Sequence, residues 1–466
     1  MTGLIACVDF GSTFTKAALV ETGTGKLVAT ASHRTTIDTD VLDGWDACLE
    51  QLAAVEPGAR EAEVLACSSA GGGLRIAVVG NEELVTAEAG RRVALSSGGR
   101  VVHVASGGLD GSAVEALRES RPDVVLLVGG TDGGNAEVLL GSARALAGAA
   151  WPGPVVVAGN VDVRDEVAGL LEGAGTPYVL ADNVVPRIGV LAPDSARHAI
   201  REMFLRHVIG GKHLSARADF TQMVHGATPD VVLTAVELLA RGLDEDRSGA
   251  GDVVVVDVGG ATTDVYSVIE LDPEDSGLSR EVVATVPASR TVEGDLGMRW
   301  SAESTVGAGT ALGLVDDAGR EALEATAAAR HADPGYVPED QRELGRDQEL
   351  ASVAIGVAVR RHAGRAQVVF GPDPSAGSGQ RGRVVERTGK DLREADLLVG
   401  SGGVLRHSGT AGPEVMGRHL GDDGQGWQLP EHPRVVVDVD YVLAPAGLLA
   451  DRHPEASYRL LNRLRA

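Results

Sequence analysis

The sequence predicts an α/β protein on a repeated plan: two related domains and, inside the first, an inserted domain with a parallel sheet. Three observations carry this. Asp9 and Asp257 stand about 250 residues apart, each near the end of an apolar run that passes through a Gly/Ser/Thr turn into a second apolar run. From about 69 to 185, short apolar runs alternate with helical patterns, the rhythm of a parallel sheet covered by helices. The chain, at 466 residues, is too long for a single core.

Taken in order, Leu4–Val8, Lys16–Val20 and Lys26–Ser32 read as a meander with turns at Gly11 and Gly23-Thr24-Gly25. Asp43 to Ala54 has helical spacing, with Leu42, Trp45, Leu49 and Leu52 near one face, and Val64–Cys67 is a short buried strand. The inserted region supplies strands at Val101–Ala105, Val124–Val128, Val155–Ala158 and Tyr178–Leu180, with helices at Ser112–Ser120, Ala136–Ala149 and Val163–Ala174. Ala196–Val208 is expected to be a helix returning to the first domain, and Pro229–Gly242 another. Arg241 to Gly251 is polar and glycine-rich, a linker. Beyond it Val253–Val258, Asp264–Ile269 and Glu281–Val286 repeat the three-strand opening. A helical region follows, interrupted by charge at 330–350, and Pro372 to Gly382 reads as a loop. The run Asp396–Leu405 is a buried strand, a glycine turn and a helix start, and Val435–Val439 with Tyr441–Leu449 closes the domain. The expected boundaries are 1–68, 69–185 (the insertion), 186–250 (return helices and linker) and 251–466.

Composition narrows the function. Apolar content of 44% and charged content of 23% suit a soluble globular protein. A net charge of −24 repels polyanions, and 3% aromatics leaves little for base stacking, so neither nucleic acid nor an anionic membrane is an expected partner. No apolar run reaches the length of a membrane span, so a cytoplasmic location is expected. Cys7, Cys48 and Cys67 form no CxxC pair and sit in apolar surroundings, as small core residues. The twelve histidines show no metal-ligand spacing.

The chemistry concentrates in the turns. A hairpin after an apolar strand presents backbone N–H groups and hydroxyls to an oxyanion, and the aspartate beside it can hold a metal-bound water. Gly11, Ser12 and Thr13 form the first such turn; Gly259, Gly260, Thr262 and Thr263 form the second, with Asp264 placed to orient a hydroxyl or a water. A plain hairpin with a turn-forming Asp and Gly is the bland alternative. Lys16, one of four lysines, either leans toward phosphate or is a solvated strand-edge residue. Gly400-Ser401-Gly402-Gly403 is weak alone, but its glycines suit a nucleoside lying against the backbone. Gly129–Asn135 follows a parallel strand and either binds an anion or partner loop or is a tight crossover with Asn135 capping the next helix. Glu293 and Asp295 either order water near a phosphate, or Asp295 caps a helix.

Phosphate loop, phosphate loop, then nucleoside glycines is the order found in the actin, heat-shock chaperone and sugar-kinase ATPase superfamily, which this chain resembles over its whole length. The resemblance implies two actin-like (ribonuclease H-like) ATPase domains around a cleft. It implies ATP held with Mg²⁺: Asp9 and Asp257 as catalytic residues supporting the metal through water, Gly11, Ser12, Thr13, Gly259, Gly260, Thr262 and Thr263 at the β- and γ-phosphates, and Gly400, Gly402 and Gly403 at the adenosine. Further segments sharpen it. Cys67–Arg75, Leu127–Asn135, Val157–Asn160, Thr291–Arg299 and Tyr441–Leu449 look like the MutL/GlmL family, which is unrelated to mismatch repair. That resemblance implies an accessory protein, a chaperone or reactivating factor, for an adenosylcobalamin-dependent glutamate mutase. A small-molecule kinase of the same superfamily, with a base among Asp38, Asp40 and Asp43, and a nucleotide-gated scaffold without turnover are the alternatives. The cysteine pattern does not suit the cluster-bearing dehydratase activators of this superfamily.

Overall fold

The computed structural model describes residues 3–70, 73–217, 219–270, 286–372, 381–421 and 424–465. These divide into two compact units: one runs to Ala235 and takes in Val442–Leu461, the other holds Val236 to Tyr441 and the chain from Asn462 onward.

The first unit opens with an antiparallel meander, β1 (Leu4–Phe10), β2 (Phe14–Glu21) and β3 (Lys26–Arg34). The helix Val41–Val55 follows, with Asp40 accepting from Leu42 N–H at 2.9 Å as its N-cap. It lays Leu42, Trp45, Cys48 and Leu52 into the core. β4 (Glu63–Ser68) then runs parallel to β1.

The chain next builds a second sheet from β5 (Leu74–Val79), β6 (Gly99–Ala105), β7 (Val124–Leu127), β8 (Val155–Val157) and β9 (Tyr178–Leu180). All pairings are parallel and the order is β6-β5-β7-β8-β9. Both faces are covered, which is why its strands read as unbroken apolar runs. Ile76, Val78, Leu126 and Val156 meet the helices Glu88–Ser96 and Asp194–Met203. Ala77, Val125, Leu127 and Val157 meet Gly111–Glu119, Glu137–Gly148 and Arg164–Gly173. Numbered within itself, this sheet has the order 2-1-3-4-5 of the flavodoxin-like doubly wound folds. Two elements differ from the sequence expectation. Leu74–Val79, the strand on which the order turns, was not expected, and Asp194–Met203 is the last helix packed on this sheet, against β7, β8 and β9. β10 (Val224–Ala227), also unexpected, adds to β4 and completes the first sheet as β10-β4-β1-β2-β3.

In the second unit the expected linker contains a short antiparallel pair, β11 (Gly242–Asp244) and β12 (Arg247–Ser248). β13 (Val253–Val258), β14 (Thr263–Val268) and β15 (Ala288–Glu293) form a second meander. The third strand expected at Glu281–Val286 lies almost wholly outside the described residues. The helices Ala302–Ala311, Asp317–Ala332 and Gln341–His362 follow. β16 (Arg365–Pro372) pairs with β17 (Arg381–Thr388), and most of the stretch expected to be a loop between them is outside the described residues. β18 (Leu397–Ser401) runs parallel to β13, and β19 (Arg434–Val437) parallel to β18.

The second meander sheet is ordered β15-β14-β13-β18-β19, which repeats β3-β2-β1-β4-β10 strand for strand, and in each only the second strand is antiparallel. This duplicated sheet is the actin-like, ribonuclease H-like ATPase architecture. The C-terminal segment differs from expectation: Leu443–Ala450 is a helix, and it packs on β1 and β4 of the first unit. Close approach explains the fit, since a Cβ at Gly447 would lie 2.0 Å from the Val231 carbonyl oxygen.

Candidate functional site

The first hairpin joins β1 to β2. Gly11 N–H donates to the Phe14 carbonyl at 3.2 Å, and a Cβ at Gly11 would come within 2.6 Å of that oxygen, so the turn requires glycine. Thr35 Oγ1 holds the Gly11 carbonyl from outside at 2.7 Å. Ser12 is exposed and Thr13 half-buried. Asp9 pairs across the strands with Lys16 and lies beside Cys67 of β4. Its carboxylate is 4% exposed and accepts from Thr228 Oγ1 at 2.6 Å.

The second hairpin has the same geometry. Gly259 N–H donates to the Thr262 carbonyl at 2.9 Å, where a Cβ would also lie 2.9 Å from that oxygen. Asp257 occupies the register position of Asp9, and Asp264 that of Lys16. The two turns therefore differ in charge: the register partner of Asp9 is a lysine, and that of Asp257 a second aspartate. Burial pushes the Asp264 carboxyl above its ordinary range; the Arg290 guanidinium opposes this and the Asp257 charge adds to it. Arg290, 4% exposed, donates to Asp264 Oδ1 at 3.0 Å and lies over the Tyr266 ring. Gly260 and Thr262 are half-buried at the turn. Thr263 is fully buried on the core face beside Val258, because strand alternation turns its side chain away from Asp257 and Asp264.

Residues 297–301, which overlap the segment Glu293–Arg299, brace this loop. Met298 N–H donates to the Gly259 carbonyl, Arg299 and Trp300 N–H to the Gly260 carbonyl, and Ser301 Oγ to the Ala261 carbonyl at 2.8 Å. A Cβ at Gly297 would sit 2.6 Å from the Ala261 carbonyl carbon. Asp295 does not cap the helix Ala302–Ala311: it and Glu293 both take Arg361, at 2.6 and 2.7 Å, and hydrogen bonds from that guanidinium hold Asp295 below the ordinary carboxylate range. Arg361 arrives from the last turn of a helix 66 residues away in sequence, which no local pattern signals.

Gly400, Gly402 and Gly403 have different reasons. Gly400 is inside β18, where a Cβ would lie 2.7 Å from Met416 Sδ, so core packing fixes it. Gly402, at φ +110°, would place a Cβ 2.3 Å from the Val258 carbonyl oxygen, which ties this turn to the end of β13. Gly403 is exposed, with open space around it.

Other candidates are engaged in structure. Asp40 is an N-cap that also accepts from Ser215 Oγ at 2.8 Å, and Asp43 accepts from Thr39 Oγ1 at 2.8 Å. In the Gly129–Asn135 loop, Gly133 N–H is given to Asp162, Asp132 N–H to the Pro186 carbonyl and Gly134 N–H to the Thr131 carbonyl. Asn135 Oδ1 accepts from Glu137 N–H at 2.8 Å, at the start of the next helix. Asn160 and Asn183, both buried, donate to the Gly134 and Gly130 carbonyls. The three cysteines are buried as free thiols, and burial pushes Cys48 up to about 11. Among the described residues, no group of three or more His, Cys, Asp or Glu could hold a metal ion, and no helix is long and apolar enough to cross a membrane.

On the core face of the second meander sheet, His362 bridges Ser267 Oγ at 2.8 Å and Thr291 Oγ1 at 3.0 Å. Burial, aided by Lys390, holds its imidazole well below the ordinary value of 6.5. The unfolded chain therefore binds a proton here that the folded chain resists, and stability is expected to fall as pH drops below 6.5. Urea midpoints at pH 7.5 and pH 5.5 should differ less in His362→Gln than in the parent; equal differences would remove His362 as a cause.

The class is thus an actin-like ATPase fold with a paired Asp-x-Gly hairpin. The model of the family described as MutL protein matches residues 5–464, and the chain belongs to that family. Protein MutL of Clostridium tetanomorphum is 36% identical over 461 residues, covering 98% of each chain. Among solved structures, the activator of 2-hydroxyisocaproyl-CoA dehydratase from Clostridium difficile, with bound ADPNP, is 11% identical at a TM-score of 0.34, over 97% of this chain and 95% of that one. A glycerol dehydratase reactivase is 13% identical at a TM-score of 0.33, over 96% and 99%.

Proposed function

We propose that this chain binds and hydrolyses ATP and serves as a reactivating chaperone for an adenosylcobalamin-dependent glutamate mutase or a related mutase. The observation that carries the nucleotide part is the duplicated hairpin. Two turns of one register, each needing glycine at the same place, each follow a strand whose penultimate residue is aspartate. A plain hairpin would not need the same carboxylate twice. The mutase part rests on what resemblance to the family implies.

The residues fit magnesium and a triphosphate. Each turn keeps its backbone close by excluding a Cβ, and Asp257 and Asp264 bring two carboxylates to the second turn. Bound magnesium would neutralise charge on the transferring phosphoryl group. Asp257 is then the carboxylate that orients water, Asp264 and Arg290 keep it in place, and residues 297–301 hold the loop rigid. On the first hairpin, Gly11, Ser12 and Thr13 present their backbone to phosphate, and Lys16 balances Asp9.

Calorimetry of the full chain with Mg-ATP and Mg-ADP tests the reading first; no heat of association would end it. Phosphate release, with and without the purified mutase, then separates a chaperone from a scaffold. Trp300 gives a local reporter, being 59% exposed with its N–H on the Gly260 carbonyl at 3.0 Å. Mg-ATP is expected to change tryptophan emission in the parent and not in Trp300→Phe. Binding by calorimetry with no emission change in the parent would move the nucleotide away from the Gly260 turn.

A further inference from the structure

We propose that Thr228 is a positioning residue for Asp9: its hydroxyl holds one carboxylate oxygen so that the other is presented to the Gly11 turn. The inference rests on the ATPase reading above and extends it to a residue that no motif of the sequence marks.

Thr228 opens the helix Thr228–Arg241 directly after β10. β10 is separated from β1 by β4, so the contact spans a whole strand. The β4 residue at the register position of Asp9 is Cys67, whose small side chain leaves room for Thr228 to reach across. Thr228 Oγ1 donates to Asp9 Oδ1 at 2.6 Å, and the Cys67 thiol donates to the same oxygen at 3.6 Å, the longer and weaker of the two bonds. Oδ2 is the oxygen on the other side, 3.9 Å from where a Cβ of Gly11 would stand. The carboxylate is thereby held in one rotamer, with its outer oxygen at the turn.

Burial gives the contact its strength. Asp9 and Thr228 are 4% and 8% exposed, and a hydrogen bond to an ionised oxygen away from water is stronger than its surface counterpart. A hydroxyl has one proton to donate, and here it goes to the carboxylate. The return of the chain to add β10 at this edge brings that donor to the far side of Asp9.

The test compares Thr228→Val, which keeps the shape and loses the donor, with Thr228→Ser, which keeps the donor, both in the full chain. Thr228→Val is expected to lower kcat for ATP about tenfold or more, with KM for Mg-ATP within about threefold of the parent. Thr228→Ser should recover most of the rate. In an Asp9→Ala background, which removes the acceptor, Thr228→Val should add almost nothing. Thermal melting of each variant separates a loss of fold from a loss of rate. An unchanged kcat in Thr228→Val, failure of serine to rescue, or full additivity with Asp9→Ala overturns the inference and leaves the ATPase reading standing. A parent chain that neither binds nor hydrolyses Mg-ATP overturns both.

Discussion

Asp257→Ala is expected to cut ATP hydrolysis by about a hundredfold or more while leaving the chain folded. The two halves of that expectation have separate causes. Asp257 is half-buried at the end of β13, at the tip where the glycine turn begins, and in the proposed mechanism its carboxylate orients a water. Removing a preorganised charge from such a position costs rate because nothing else in the hairpin takes its place. The fold should survive because Asp257 stands across from Asp264, whose carboxyl burial already pushes up and the Asp257 charge pushes further. Deleting Asp257 relieves that repulsion and leaves the Asp264–Arg290 pair intact. Asp264→Ala is the contrast: it strands a buried arginine and should lower the melting temperature as well as the rate. Phosphate release and thermal melting on the two variants decide the matter. Parental turnover in Asp257→Ala removes Asp257 from the mechanism, and an early melt in that variant makes its carboxylate structural.

Much of the architecture was legible because it is written in local patterns. The strand ending in Asp9 and the strand ending in Asp257 carry apolar runs, turn glycines and aspartates within a dozen residues each, so the duplicated hairpins could be read directly. Leu74–Val79 is an apolar run that was not expected to be a strand, because no helix pattern between it and Val101 announces a crossover. β10 was missed for the opposite reason: Val224-His225-Gly226-Ala227 has almost no strand signal and is placed by its pairing with β4. The site shows the same division. Gly11 and Gly259 are dictated by carbonyls three residues on, a local constraint. Thr228 on Asp9, Arg361 on Asp295 and Ser301 on the Ala261 carbonyl are contacts across 219, 66 and 40 residues, which spacing cannot reveal. Gly400 shows that a residue can stand where a ligand glycine is expected and be fixed by a methionine behind it.

Asp347→Ala is expected to destabilise the second unit by about 3–5 kcal/mol, the largest stability effect of any single substitution considered. Asp347 lies fully buried on the helix Gln341–His362 and serves two arginines at once. Its Oδ2 accepts from Arg299 Nη2 at 2.8 Å and its Oδ1 from Arg330 Nε at 2.7 Å. Arg330 also reaches Glu343 Oε2 at 2.7 Å and stacks on Tyr336, 4.1 Å from the ring centroid. Alanine would leave Arg299 without its carboxylate and Arg330 with Glu343 alone, in a place water does not readily fill, and this poorly compensated charge, more than the lost attraction, sets the size of the effect. Glu343→Ala should cost far less, because Glu343 serves Arg330 from a more exposed position and Asp347 stays in place. The link to function runs through Arg299, whose backbone N–H holds the Gly260 carbonyl at 2.8 Å. If the side chain of Arg299 anchors that segment, Asp347→Asn, which keeps an acceptor for one arginine, should be less destabilised than the alanine variant and still bind Mg-ATP more weakly than the parent. Denaturant midpoints and calorimetry on the same samples separate the two effects. A destabilised Asp347→Asn with parental nucleotide affinity would confine this ion network to the fold and leave the loop to be held by Gly297 and Ser301.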